Sequence, residues 1–405
     1  IVYVALDAHV FRELLASHLL PMLPGARLHG PGELSGKFKQ KTVAFTSARA
    51  MSVRPTKTAR YEFRIARKGK FLPSEHALVE AFVSAAADVS AAVGTPFESE
   101  VLRALPLRTV ARAVGGSHAK TFLRVLDQLA TWASDFYEGQ PIAASIGVDP
   151  TADRAGVRLD ELWDEPFAPV ISNGLDTLVV VTPRGDVARV EAINPAVMHT
   201  FAPYRFRALA EWATDARVAA ALTRTGELLV FQEQRLRFAR RAGTWHHFTH
   251  DSVLSAIHLP WKVDARTAMY ETLLDVSFAR SGGCLAVVDR HRRRNVARFV
   301  APQDLVGRAH SVKARLVRDA IGTRFQDIDR RIRAEILGLD GATILAHNGE
   351  LLAVGAIVKI ESGSRGGGRL AAAKTLSELG LGVKVSQDGH VAAFAEAGTE
   401  LFAFG

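Results

Sequence analysis

Only one cysteine, Cys284, occurs in 405 residues, which excludes an intramolecular disulfide framework and fits a reducing, cytoplasmic setting. No apolar run is long enough to span a bilayer, and the opening residues do not read as a secretory signal. The expectation is therefore a cytoplasmic protein without a membrane partner. The zinc-protease pattern His-Glu-x-x-His is missing, and no nucleophile elbow surrounds Ser364 or Ser386. These absences remove the metalloprotease and serine-hydrolase readings. Cys284 stands in the apolar run CLAVV and reads as a small buried group rather than a nucleophile.

What is present is positive charge. The formal net charge is +9, with 51 Lys and Arg against 42 Asp and Glu. That balance suits a polyanionic partner such as nucleic acid, a nucleotide or an acidic membrane surface. The arginines are spread along the chain, however, so no single basic stripe identifies a nucleic-acid surface. Hydrophobic content of 48% is enough for two or three cores in a chain of this length.

The pattern divides the chain into three regions and predicts a mixed α/β (α+β) class. Residues 1–150 read as a helix-rich α/β region, with helices over Ala8–Met22, from Pro73 to Gly94, and over Lys120–Tyr137. The polar stretch Gly147–Asp164 reads as a boundary. Residues 151–265 read as a hairpin-rich middle region, with strands at Thr177–Val181, Val187–Ile193, Gly226–Phe231 and Arg235–Phe238. Residues 266–405 read as a mixed sheet flanked by helices. An internal echo joins the last two regions: Gly174-Leu175-Asp176 and Gly338-Leu339-Asp340 each precede an apolar strand, a glycine turn and a returning strand. Two similar hairpins and a degenerate duplication explain it equally well.

The most organised part is the last. Ala268–Arg280 has the spacing of an amphipathic helix, Gly282-Gly283 caps it, and Cys284–Val288 follows as a buried strand. Later come LDGATIL, the turn HNGE, a second strand, and the stretch SGSRGGGRLAAAKTLSELG over Ser362–Gly380. Glycines let backbone N–H groups approach an anion, a helix N-terminus presents unpaired N–H groups, and arginine adds charge. The stretch is therefore a candidate phosphate loop.

This order of elements, with the triplet Asp340-Gly341-Ala342, resembles the diadenylate cyclase (DAC) domain, found in the bacterial DNA-integrity-scanning protein and in cyclases that make cyclic di-AMP from two ATP. The resemblance covers roughly residues 268–405. It implies that Asp340 is the carboxylate near ribose and metal, Mg²⁺ or Mn²⁺, and the catalytic carboxylate if the chain is a cyclase. It implies that Gly341 and Ala342 let the nucleoside lie close to the strand. The family's Gly-Thr-Arg-His-Arg run corresponds to Gly367-Gly368-Arg369-Leu370-Ala371, so one arginine is kept while a histidine and an arginine are replaced by apolar residues. Arg365 adds a nearby cation, and Ser386 matches a serine used beside the phosphates. The pattern implied is that of DAC-related domains that have lost catalytic motifs and act as nucleotide sensors in bacterial signalling.

Three readings follow. The first is a bacterial sensor that binds ATP or a cyclic dinucleotide through Asp340, Gly341, Ala342, Arg365, Gly367, Gly368, Arg369 and Ser386, and is not an enzyme. The second is an active divergent cyclase, a nucleotidyltransferase working as a homo-oligomer. The third is a basic nucleic-acid-binding protein that uses the fold as scaffold. Smaller constellations read as structural. Trp245-His246-His247-Phe248-Thr249-His250 lacks further ligands at zinc spacing, so its histidines are expected at the surface. Arg290-His291-Arg292 reads as an exposed basic turn, Lys374 as part of a solvated helix face, and Asp176 as a structural residue.

Overall fold

Short apolar runs divided by glycine turns build the larger sheets of the chain. The computed structural model describes residues 6–33, 41–90, 102–153, 156–196, 200–257, 263–307, 310–322, 324–360, 367–395 and 398–405. The class is mixed α/β, as the sequence predicts. Contacts divide the chain into two compact units, Ile1–Thr200 with Ala208–Phe248, and Phe201–Arg207 with Thr249–Gly405.

The first unit opens with the expected helical stretch, Ala8–Leu14 continued by helical turns to Met22. An antiparallel sheet of order β1-β4-β3-β2 follows, formed by β1 (Arg27–Glu33), β2 (Val43–Ser47), β3 (Ala50–Val53) and β4 (Tyr61–Ala66). The helix Pro73–Val89 starts where proline suits the first turn, and Glu75 accepts the Leu72 N–H at 2.7 Å. The expected continuation to Gly94 enters residues outside the described ones. The helix Ala119–Trp132 buries Phe122, Val125, Leu126, Leu129 and Trp132 at three- and four-residue spacing. It stops short of the expected Tyr137, because Phe136–Tyr137 (β5) pairs instead with Gln140–Pro141 (β6).

A seven-stranded sheet completes this unit. Its strands are β7 (Ala144–Val148), β8 (Thr177–Val181), β9 (Val187–Ala192), β10 (Val218–Leu222), β11 (Leu228–Gln232), β12 (Arg235–Arg241) and β13 (Thr244–His247), in the order β13-β12-β11-β10-β7-β8-β9. The hairpins expected at β8–β9 and β11–β12 form. The boundary read at Gly147–Asp164 falls inside the unit, and its first residues belong to the interior strand β7. Gly147 has a packing reason: a Cβ there would meet the Trp212 ring at 2.5 Å.

The second unit holds a six-stranded sheet of order β16-β15-β14-β17-β18-β19. These are β14 (Gly283–Val288), β15 (Ala342–Ala346), β16 (Leu351–Ala356), β17 (Gly380–Val385), β18 (Val391–Ala395) and β19 (Thr399–Phe404). All residues of β14 and β15 are buried, as expected for central strands covered on both faces. Each buried Val, Leu or Ile there contributes about 2 kcal/mol. The helix Gly368–Leu376 packs on β17, where Gly382 lets the carbonyl of Ala373 approach to 1.9 Å from the place of a Cβ.

The helix Val263–Ala279 is not amphipathic in place. From Ala268 to Phe278 every residue is buried. Its two buried acids, Glu271 and Asp275, find partners on the helix Arg330–Gly338. Arg330 gives Nε to Asp275 at 2.7 Å and Nη2 to the Ala202 carbonyl at 2.6 Å, while Arg333 Nη2 reaches Glu271 at 3.0 Å. Buried charges persist only when paired and hydrogen-bonded in this way.

Both large sheets share one connectivity. In the first, β7 and β8 are parallel, β9 returns beside β8, and β10 lies antiparallel on the other side of β7, followed by β11 and β12. In the second, β14, β15, β16, β17, β18 and β19 repeat those pairings in turn. The echoed triplets precede β8 and β15, so the sequence echo has a topological counterpart.

Candidate functional site

The site is built around the start of β14. Gly282 has φ +69°, in the left-handed region that glycine enters without penalty. It turns the chain out of the buried helix, and Gly283 then passes so near Leu337 that a Cβ would lie 2.5 Å from its carbonyl oxygen. The register fixes what surrounds this point. Cys284 pairs in parallel with Ala342, so Asp340-Gly341 lies beside Gly282-Gly283 on one flank. Gly283 pairs with Val385, so Ser386 comes opposite Gly282 on the other flank.

Arg369 arrives from above. It is the second residue of the helix Gly368–Leu376, and its guanidinium packs over Gly282, with Nη1 at 2.5 Å and Cζ at 2.9 Å from the position a Cβ would take. The field of Arg369 also reaches Cys284. Burial pushes the Cys284 thiol up to about 12, and Arg369 pulls in the opposite direction. The glycine read in sequence as a helix cap thus also makes room for the arginine of the candidate phosphate loop.

The structure gathers most of the predicted residues at one sheet edge. Asp340 is exposed, Gly341 half-buried and Ala342 buried; Gly367 and Gly368 are exposed, and Arg369 and Ser386 half-buried. Arg365 lies outside the described residues. Gly341, with φ +102°, has a structural reason of its own, since a Cβ would lie 2.6 Å from the Gly355 backbone. Leu370 packs against the core and Ala371 is buried, so the two positions that replace cationic family residues face inward. Lys374 is exposed, with Nζ 5.5 Å from the centre of the Phe394 ring. Lys313, which the sequence did not single out, braces this edge. It pairs with Asp304 and reaches the Gly355 carbonyl at 3.4 Å, while Asp304 accepts the Ile357 N–H at 3.2 Å.

Other constellations resolve as structure. Asn173 Oδ1 accepts the N–H groups of Leu175, Asp176 and Thr177, and its amide holds the Asp176 carboxylate at 2.6 Å. Asp176 is thus a turn residue. His246 lies on β13 and His250 opens the helix His250–Ala256, so they do not share a helix face. The expectation of surface histidines is corrected for two of them. His247 is buried and stacked on Phe238, and His250 is buried with Nδ1 2.7 Å from the Tyr270 hydroxyl. Both rings fill core volume between aromatic neighbours. Among the described residues no group of three or more His, Cys, Asp or Glu is placed to hold a metal, and no helix is long and apolar enough to cross a membrane.

A cavity of about 730 Å³ lies at the opposite edge of the sheet, lined by Asp289, Arg290, His291, Arg292 and His347. It does not coincide with the Asp340–Arg369 edge, whose grouping rests on strand register rather than on a closed hollow.

No protein-family model and no curated protein matches the chain. Among solved structures, a double mutant of DacA from Staphylococcus aureus is faintly similar to part of it. That likeness has 16% identity and a TM-score of 0.24, and covers 33% of this chain and 81% of that one.

Proposed function

We propose that this chain is a bacterial, cytoplasmic sensor whose second unit binds ATP or a cyclic dinucleotide without joining nucleotides. The observation that carries this reading is the position of Arg369 over Gly282, between the flank of Asp340-Gly341-Ala342 and the flank of Ser386. A guanidinium there, at the start of a nine-residue helix where Gly367 and Gly368 are exposed, suits a phosphate. Asp340, Gly341 and Ala342 take the nucleoside side. Gly367, Gly368, Arg369 and Ser386 take the phosphate side.

The same geometry argues against a cyclase. Joining two ATP needs cationic groups on the developing charge, and one lost contact of that kind costs about 3 kcal/mol. Leu370 and Ala371 supply none and are turned into the core. A divalent ion fits as a companion of the nucleotide. One exposed carboxylate, Asp340, together with ligand phosphates is the usual way Mg²⁺ is held. Mg²⁺ or Mn²⁺ would there neutralise phosphate charge, and Asp340 would be its protein ligand.

The test is the equilibrium affinity of the chain and of Arg369→Ala for ATP and cyclic di-AMP. A hydrogen bond to a charged group is worth about 2 kcal/mol, so a loss of roughly thirtyfold is expected. Unchanged affinity in the variant would overturn the placement of the phosphates. Binding of nucleic acid with steep salt dependence, and of neither nucleotide, would favour the scaffold reading instead.

A further inference from the structure

The other edge of the same sheet carries a second arrangement. β14 and β15 are parallel, so both chains leave the sheet at their carboxyl ends, and ligands in open α/β sheets bind where such connections lead apart. Here they do lead apart. After β15 the chain turns at once into β16, on one side. After β14 the Asp289 N–H bonds the Leu379 carbonyl at 2.9 Å and Arg292 donates to the Glu378 carbonyl, which draws the turn Arg290–Asn295 to the β17 side. The hollow between the two turns is the cavity of about 730 Å³ lined by Asp289, Arg290, His291, Arg292 and His347.

The lining has a definite chemistry. Arg293, the next residue of the turn, does not line it: both its terminal nitrogens are taken by Glu350, at 2.9 and 2.6 Å, and this pair ties the two turns together. Arg290 and Arg292 remain against the single carboxylate of Asp289, so the guanidinium groups alone make the hollow cationic. His347 is half-buried, and its Nδ1 is closed to solvent without a hydrogen-bond partner among the described residues. A buried polar atom left in that state is costly unless something else in the site serves it.

We propose that this cavity binds a phosphorylated sugar, free or as part of a nucleotide, independently of the Arg369 edge. The guanidinium of Arg290 and the imidazole N–H groups of His291 and His347 meet the phosphoryl oxygens. Asp289 would repel a phosphate and therefore accepts the sugar hydroxyls. A single inorganic phosphate underfills such a volume, whereas a sugar phosphate falls within the range of small-molecule sites.

The experiment is a calorimetric titration of the full chain carrying Arg369→Ala, in which binding at the first edge is already weakened, so that a site unaffected by that substitution stands out. Ribose 5-phosphate, AMP and inorganic phosphate are the three probes. Saturable binding of ribose 5-phosphate or AMP is expected, weakened at least about tenfold by Arg290→Ala and by His347→Gln. Arg298→Ala, an exposed arginine outside the lining, should change nothing. Tighter binding of AMP than of ribose 5-phosphate would identify a nucleotide, and the reverse a free sugar phosphate. Arg290 is exposed, so its replacement leaves the core intact. Unchanged affinity in Arg290→Ala would overturn the proposal. So would no saturable binding of either sugar phosphate, or inorganic phosphate binding as tightly as both.

Discussion

Arg369 rests its guanidinium on Gly282, the residue through which the buried helix Val263–Ala279 passes into β14. No side chain is available at Gly282 to hold the arginine away, and the arginine is thereby kept at the sheet edge. Gly282→Ala would put a methyl group 2.5 Å from Nη1 and force an L-residue into a φ of +69°. The backbone cost is about 1–2 kcal/mol, and the flexible arginine moves aside. A lower melting temperature together with weaker ATP binding is the expected pair of results. A melting loss with unchanged nucleotide affinity would show that the contact serves folding alone.

Cys284, the single thiol, gives a clean titration of the same edge. Its proton is held up to about 12 in the folded protein by burial, against the opposing pull of Arg369. An unfolded thiol releases its proton near 8.5. Between those values the native state binds the extra proton, so this group's contribution makes stability fall as pH rises from about 8.5 towards 12. Denaturant unfolding of the chain and of Cys284→Ala across that window should differ in slope by about one proton. Parallel curves would contradict the assigned environment. Native protein should likewise resist thiol reagents at neutral pH until it unfolds.

Arg330 is the anchor of the buried ion-pair group. It serves Asp275 twice, at 2.7 and 2.9 Å, approaches Glu271 at 3.5 Å, and caps the Ala202 carbonyl. Burial pushes the Asp275 carboxyl up against the pull of Arg330. Arg330→Met would leave two acids buried with less compensation, a loss of about 3–5 kcal/mol in chemical denaturation. A change below about 1 kcal/mol would mean that water reaches the pair.

Much of the second unit was legible because its signals are local. Gly282-Gly283, the run CLAVV and the turn HNGE each mark an element by themselves, and β14, β15, β16 and β17 follow in the expected order. The residues of the candidate site were found through a motif, and their meeting at one edge follows from the pairing of Cys284 with Ala342 and Gly283 with Val385. What escaped the sequence depends on distant partners. β7 (ASIGV) and β10 (VAAAL) are short and rich in small residues, so neither carries strong strand propensity; the sheet pairing supports both, and the Trp212 ring packs over Gly147 of β7. The acids Glu271 and Asp275 gave their helix a polar stripe, and nothing local announces that Arg330 and Arg333 will cover it. The cavity at Asp289 and His347 likewise joins two turns more than fifty residues apart in sequence.

The most direct test of the central claim is a calorimetric titration of the full chain with ATP and Mn²⁺, followed by mass spectrometry of the cell contents. The expected result is saturable binding with ATP recovered intact. Cyclic di-AMP in the cell would contradict the sensor reading and show that the histidine and arginine replaced by Leu370 and Ala371 are dispensable for joining nucleotides.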